Sequence, residues 1–96
     1  MSYCFLSRMK IKPDKDAEFV ELCLEMERRV AQHEPHVLAY KFYRLAGPHE
    51  IAVFEEFNSE AESAAHNLHP AIAPIIAKML PCMEDGYARE YLLPLK

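Results

Sequence analysis

Apolar and polar positions alternate through residues 3–12. Tyr3, Phe5, Ser7, Met9 and Ile11 share one parity; Cys4, Leu6, Arg8 and Lys10 share the other. A period of two predicts a strand, and two apolar parities predict cover on both faces. Pro13 ends the strand, and Asp14 is the expected N-cap of the next helix. From about 15 to 34 the period lengthens. Phe19, Leu22, Cys23, Met26 and Val30 form a helical stripe, and Pro35 closes it. Glu25 and Arg29 stand four apart on the outer side, where they can pair. Residues 37–45 and 50–57 are rich in aromatic and β-branched types, and Ala46-Gly47-Pro48-His49 is a turn cluster between them. That arrangement predicts an antiparallel hairpin. Ser59 and Glu62 form a capping box for a helix ending near Leu68. Pro70 suits the first turn of a second helical piece, running to about Leu80. Residues 81–86 connect to a last strand over 87–93.

The predicted order is β-α-β-β-α-β, a ferredoxin-like α+β fold in a single domain over residues 1–96. Such a fold has an antiparallel sheet with its helices on one face. The other face carries apolar residues here and would lie bare in a monomer. A bare apolar sheet face marks an interface, and the simplest partner is a second copy across a two-fold axis. A chain of 96 residues also buries only a modest core by itself.

Composition narrows the function classes. The formal charge is −4, and Lys and Arg are scattered apart from Arg28-Arg29. No basic stripe suits nucleic acid, and an acidic surface does not suit anionic membranes. No apolar run has the length of a membrane span. The N-terminal stretch is too short for a signal-peptide core and carries its charge on the wrong side. Cys4, Cys23 and Cys82 are odd in number and too far apart for a Cys-x-x-Cys pair. They read as reduced, buried thiols, and a cytoplasmic location is expected.

Several side chains could carry chemistry. Glu55 shares strand parity with Val53 and Phe57, and a carboxylate among such neighbours needs a partner. It could bond the adjacent helix, orient a histidine or meet a substrate hydroxyl. Tyr40, Phe42, Tyr43 and Phe54 suit either plain core or a wall for a flat ligand. His66 lies off the stripe of Ala61, Ala64, Ala65 and Leu68, so helical spacing alone sets it on the surface beside Glu62. The pairs His66/His69 and His33/His36 have ligand-like spacing but no third ligand, and no metal is expected. Gly47 and Gly86 stand alone, so there is no phosphate-cradling loop.

The ordered set of Lys12-Pro13, Glu34-Pro35, Tyr40-Lys41-Phe42-Tyr43-Arg44, Phe54-Glu55-Glu56-Phe57-Asn58-Ser59, His66 and Leu92-Leu93-Pro94-Leu95 resembles the antibiotic biosynthesis monooxygenase family, the dimeric α/β-barrel proteins. The resemblance covers nearly the whole chain. It implies a homodimer whose sheets pack face to face as a barrel, with a pocket between sheet and helices in each subunit. It further implies oxidation of a small aromatic, phenolic or quinol-type substrate by O2, without flavin, haem or metal. Other branches degrade haem, isomerise a small sugar derivative or have no assigned role. Ser7 and Phe57 stand where the haem-degrading branch has Asn and Trp, which argues against that activity. The family's second His is Ala71 here, with His69 nearer instead, and Glu62 and Ser63 replace apolar residues before His66.

On this resemblance His66 is the catalytic base and Glu55 its orienter. Ser7, Tyr40, Phe42, Phe57, Ser63 and Asn67 are the expected substrate-binding residues. A histidine can take and return a proton near neutrality, as formation of an electron-rich phenolate requires. Two alternatives stay open: an isomerase of a small polar metabolite, and a non-catalytic small-molecule-binding dimer.

Overall fold

The computed structural model describes residues 2–95. Strand β1 (Tyr3–Ile11) leads through a 3-10 turn (Pro13–Lys15) into helix α1 (Asp16–His33). Strands β2 (Ala39–Arg44) and β3 (Glu50–Phe57) come next as a hairpin. Helices α2 (Glu60–Leu68) and α3 (Ala73–Met79), a second 3-10 turn (Leu80–Cys82) and strand β4 (Met83–Leu92) complete the chain. The strands form one four-stranded antiparallel sheet in the order β2-β3-β1-β4. This is the ferredoxin-like α+β arrangement that the hydrophobic pattern predicts.

Register decides which side chains share a face. Ser7 pairs with Val53 on one side and Arg89 on the other, and Phe42 pairs with Val53. One row further along lie Tyr40, Glu55, Phe5 and Tyr91. Directly paired residues point the same way, so all of these face the helices. Phe19, Cys23, Met26 and Val30 bury the inner stripe of α1 against Met9, Ile11, Ile51 and Val53, with Ile72, Ile75 and Met79 closing the far side. Each such large side chain contributes about 1.5–3 kcal/mol when removed from water. The opposite sheet face presents half-buried Leu6, Phe54 and Leu92, with an Arg8–Glu90 ion pair of 2.8 Å, and no helix among the described residues covers it.

The structure shifts several predicted boundaries. Asp14 caps nothing; it lies in the 3-10 turn, and no side-chain cap precedes α1. Asp16 is the useful carboxylate instead, accepting from Arg44 at 2.8 Å and pairing with His49 Nδ1 at 2.8 Å. Those two partners draw its carboxyl down to about 2. The same pair holds the hairpin turn, where His49 sits at φ 54° in the left-handed region that favours glycine. Pro74, not Pro70, occupies the first turn of α3. Strand β4 starts at Met83 because Ile11 pairs with it across a register shift after Met9, and Lys12 N–H reaches the Cys82 carbonyl at 2.9 Å.

Candidate functional site

The Ser59 hydroxyl accepts from the Glu62 N–H at 3.2 Å and starts α2, as the capping box predicts. The reciprocal arm differs: the Glu62 carboxylate accepts from Asn58. The buried residues of α2 are Ser63 and His66. The expected apolar stripe is turned outward, and Leu68 is 81% exposed. The helix turns its polar side inward because a partner waits there. Glu34, at the C-terminal end of α1, is 3% exposed, and its Oε1 lies 2.7 Å from His66 Nδ1. Backbone bonds hold Glu34 on both sides: its N–H reaches Val30, and its carbonyl accepts from Val37. His66 is 2% exposed, and its ring lies between Tyr40 (5.1 Å between centroids) and Phe57 (5.5 Å).

This pair fixes the imidazole chemistry. A carboxylate accepts hydrogen bonds and donates none. An ionised Glu34 therefore accepts the Nδ1 proton, and in the neutral imidazole Nε2 then presents its lone pair. Nε2 has no partner among the described residues, and it is not sealed from access, since no fully buried side-chain nitrogen or oxygen goes unpaired. His66 borders a cavity of about 360 Å³ between sheet and helices. In the neutral ring, one nitrogen is held by Glu34 and the other is left to accept a proton.

Ser7, Tyr40, Phe42, Glu55, His66 and Asn67 all line this cavity, with Met26, Ile76 and Met79 above and Met9, Val53 and Arg89 below. Two of the expected substrate-binding residues do not. Phe57 is wholly buried beneath His66, and Ser63 is enclosed on α2. The expected pairing of Glu55 with His66 is also not what the structure shows. Glu34 occupies Nδ1, and Glu55 makes no hydrogen bond to any described residue.

Glu55 nonetheless has a distinctive setting. It is 7% exposed and points to the cavity from the middle of the sheet. Burial pushes its carboxyl from 4.5 up to about 7; the Arg89 charge opposes the rise, and Glu34 adds to it. Near neutrality it is therefore divided between a proton-donating acid and an accepting carboxylate. Burial likewise raises the Tyr40 phenol well above its ordinary value, with the Glu55 charge adding to the rise, so Tyr40 is a neutral wall. A larger depression of about 500 Å³ lies between α1 and α3, but Glu25, Arg28 and Arg29 there already pair with each other. Among the described residues, no group of three or more His, Cys, Asp or Glu is gathered as a metal site.

The family model for antibiotic biosynthesis monooxygenase matches residues 2–78. The chain belongs to this family. The antibiotic biosynthesis monooxygenase fold extends over the rest of the chain as well. A crystal structure from Caulobacter crescentus CB15, described as a candidate antibiotic biosynthesis monooxygenase, is 25% identical with a TM-score of 0.89, covering 99% of this chain and 91% of that one. A second so described, from Bacteroides thetaiotaomicron VPI-5482, is 21% identical with a TM-score of 0.88, covering 99% and 90%. A conserved protein from Methanosarcina mazei Go1 is 18% identical with a TM-score of 0.85, covering 96% and 91%. No curated protein matches the chain. Membership in the antibiotic biosynthesis monooxygenase family carries a small-molecule-binding fold, and no helix here is long and apolar enough to cross a membrane.

Two site residues escape the sequence pattern as first read. Glu34 extends the α1 stripe by one more step of four beyond Val30, and continuing the stripe through its end would have found it. Arg89 shares strand parity with Tyr87 and Tyr91, and alternation along β4 would have set it on the helix-facing side.

Proposed function

We propose that the protein is a cofactor-independent monooxygenase acting on a small phenolic or quinol-type molecule held in the His66 cavity. The observation that carries this reading is the buried Glu34–His66 pair, which leaves Nε2 as an acceptor in a largely apolar chamber. Nε2 takes the phenolic proton. The electron-rich ring of the phenolate then bonds O2 at a ring carbon bearing hydrogen. Glu55 in its acid form gives its proton to the outer peroxide oxygen. The Glu55 carboxylate next removes the ring C–H proton, and that electron pair forms the new C=O as the O–O bond breaks. The departing hydroxide takes the proton held on His66 and leaves as water. One O2 is consumed, a phenol becomes a quinone, and both groups return to their starting states. Apolar walls of Met9, Met26, Phe42 and Met79 keep bulk water from the intermediates.

The working unit in this reading is a homodimer formed through the bare sheet face around Leu6, Phe54 and Leu92. Three buried free thiols suit a reducing compartment, and we assign the protein to the cytoplasm. A second reading is favoured by Glu55, which near neutral pH can move a proton against His66 without any oxidant. That is isomerase chemistry on a small polar metabolite. Oxygen uptake with a panel of quinols and phenols separates the two. The monooxygenase consumes O2 in step with substrate loss, and His66→Ala lowers the rate by about 10²–10⁴-fold, the span of a general base. Turnover that proceeds anaerobically, or that survives His66→Ala unchanged, overturns the first reading.

A further inference from the structure

Arg89 is a cationic side chain in the cavity wall that the proposed chemistry does not use. It projects from the edge strand β4, and its position is prepared. Its guanidinium carbon lies 3.9 Å from the centroid of the Phe5 ring. Its Nε donates to Ser7 Oγ at 3.3 Å, and Nη2 reaches the Tyr87 hydroxyl at 3.4 Å. Ser7, expected as a substrate-binding hydroxyl, thus accepts from an arginine. These contacts use Nε and Nη2, the Tyr91 hydroxyl also draws on the guanidinium, and further N–H donors remain.

No carboxylate among the described residues bonds to that charge. Arg89 forms no ion pair among the described residues; the neighbouring Glu90 is committed to Arg8 on the other sheet face. Glu55 is the nearest candidate in the cavity, but it makes no bond to Arg89. Burial outweighs the Arg89 charge there and keeps the pKa of the Glu55 carboxyl raised. A guanidinium stacked on an aromatic ring, fixed by a hydroxyl and bonded to no carboxylate, is built to receive a planar anion in two-pronged fashion.

Position adds the shape of the ligand. His66 touches rings carried by β2 and β3, while Arg89 stands on β4. Strands β3 and β4 are separated by β1, which sets them on the order of 10 Å apart. The space between is lined by Met9, Val53 and Met79. The chamber therefore has a proton-accepting end and a cationic end, with apolar walls and the Glu55 carboxyl between them.

We infer that Arg89 binds a carboxylate on the ligand, so that this site takes an aromatic acid whose hydroxyl lies at His66 and whose carboxylate lies at Arg89. This rests on the reading of the cavity as the ligand site and names the class of ligand it selects. It is independent of whether the bound molecule is then oxidised or isomerised.

The test compares para-hydroxybenzoate with para-hydroxybenzamide, which matches it in shape and lacks the charge. Binding to the full chain is measured by NMR, with the His66 imidazole resonances read in the same titrations. The acid is expected to bind about tenfold or more tightly than the amide, the scale of a charge-assisted hydrogen bond. Arg89→Gln is expected to abolish that preference, and Arg89→Lys to retain part of it. Equal binding of acid and amide by the wild-type protein, with His66 responding to both, overturns the anion site and leaves the cavity reading standing. Failure of both probes to bind or to move His66 overturns the two together. The comparison in the wild-type chain decides the matter even if an Arg89 variant does not fold.

Discussion

Glu55→Gln should make the protein more stable, and only above a particular pH. The wild-type carboxyl lies in the sheet core with no partner, and its folded pKa is about 7 against an ordinary 4.5. A carboxyl with a raised folded value keeps its proton in the folded chain after the unfolded chain has lost it. Below pH 4.5 both states are protonated, and the group has no effect on the balance. As pH rises from 4.5 to about 7 the unfolded state gains by ionising while the folded state cannot, so stability falls. Above pH 7 both are ionised, and the full cost stays. The two values differ by about 2.5, and each step of one is worth ~1.4 kcal/mol, which gives a cost of about 3 kcal/mol.

Glutamine fills the same space, stays neutral at every pH and removes that cost. Urea denaturation of both proteins at equal concentration, from pH 5 to pH 8, measures the difference directly. Titration of other groups cancels in the comparison. The gap should be small at pH 5 and open to about 3 kcal/mol in favour of glutamine by pH 8. In a domain of this size that raises the melting temperature by roughly 4–8 °C per kcal/mol. The same substitution should slow turnover, since glutamine cannot give up a proton. A gap that is constant across the range, or one that favours glutamate at pH 8, refutes the claim that Glu55 is a desolvated acid.

The remaining predictions concern the rest of the site and the interface. Glu34→Gln should lower kcat by about 10–100-fold with little change in KM, because the outer partner of an imidazole sets its tautomer and aim; steady-state oxygen uptake gives both constants. Ser59→Ala removes the cap of the helix that carries His66 and should cost about 1 kcal/mol in a denaturation experiment. Phe54→Glu puts a charge on the bare sheet face and should convert the proposed homodimer to monomers in light scattering; an unchanged mass would remove that face from the interface.

Most of the fold was legible because hydrophobic period is a strong local signal. The alternation from Tyr3 to Ile11, the α1 stripe through Phe19, Cys23, Met26 and Val30, and the hairpin around Gly47 all come from spacing and turn chemistry. The errors fell where tertiary partners override local pattern. Asp14 has the right chemistry for a cap, but a 3-10 turn intervenes and Asp16 finds Arg44 and His49 across the fold. The start of β4 depends on Ile11 pairing with Met83 some seventy positions away, which no local window contains.

The α2 face shows why the candidate site resists pattern reading. Its alanines and Leu68 suggest an ordinary amphipathic helix with His66 on the outside. The protein instead buries the polar side, exposes Leu68 and meets His66 with a carboxylate from the end of α1. Burying such a pair gives up apolar contacts that a leucine at position 66 would make, and a buried ion-capable pair is seldom the most stable choice. Glu55 departs from pattern in the same direction, since a valine there would continue the strand without penalty. Glu55 and His66 line one chamber and Glu34 holds His66 from behind, three polar side chains at positions where apolar burial would serve stability better. Local consistency fails in this one region and holds elsewhere, as expected where a chain gives up stability for chemistry. That convergence, rather than any single motif, is the physical argument for a working site at His66. It also implies that replacing Glu34, Glu55 and His66 together with apolar residues of similar volume would yield a more stable and inactive protein.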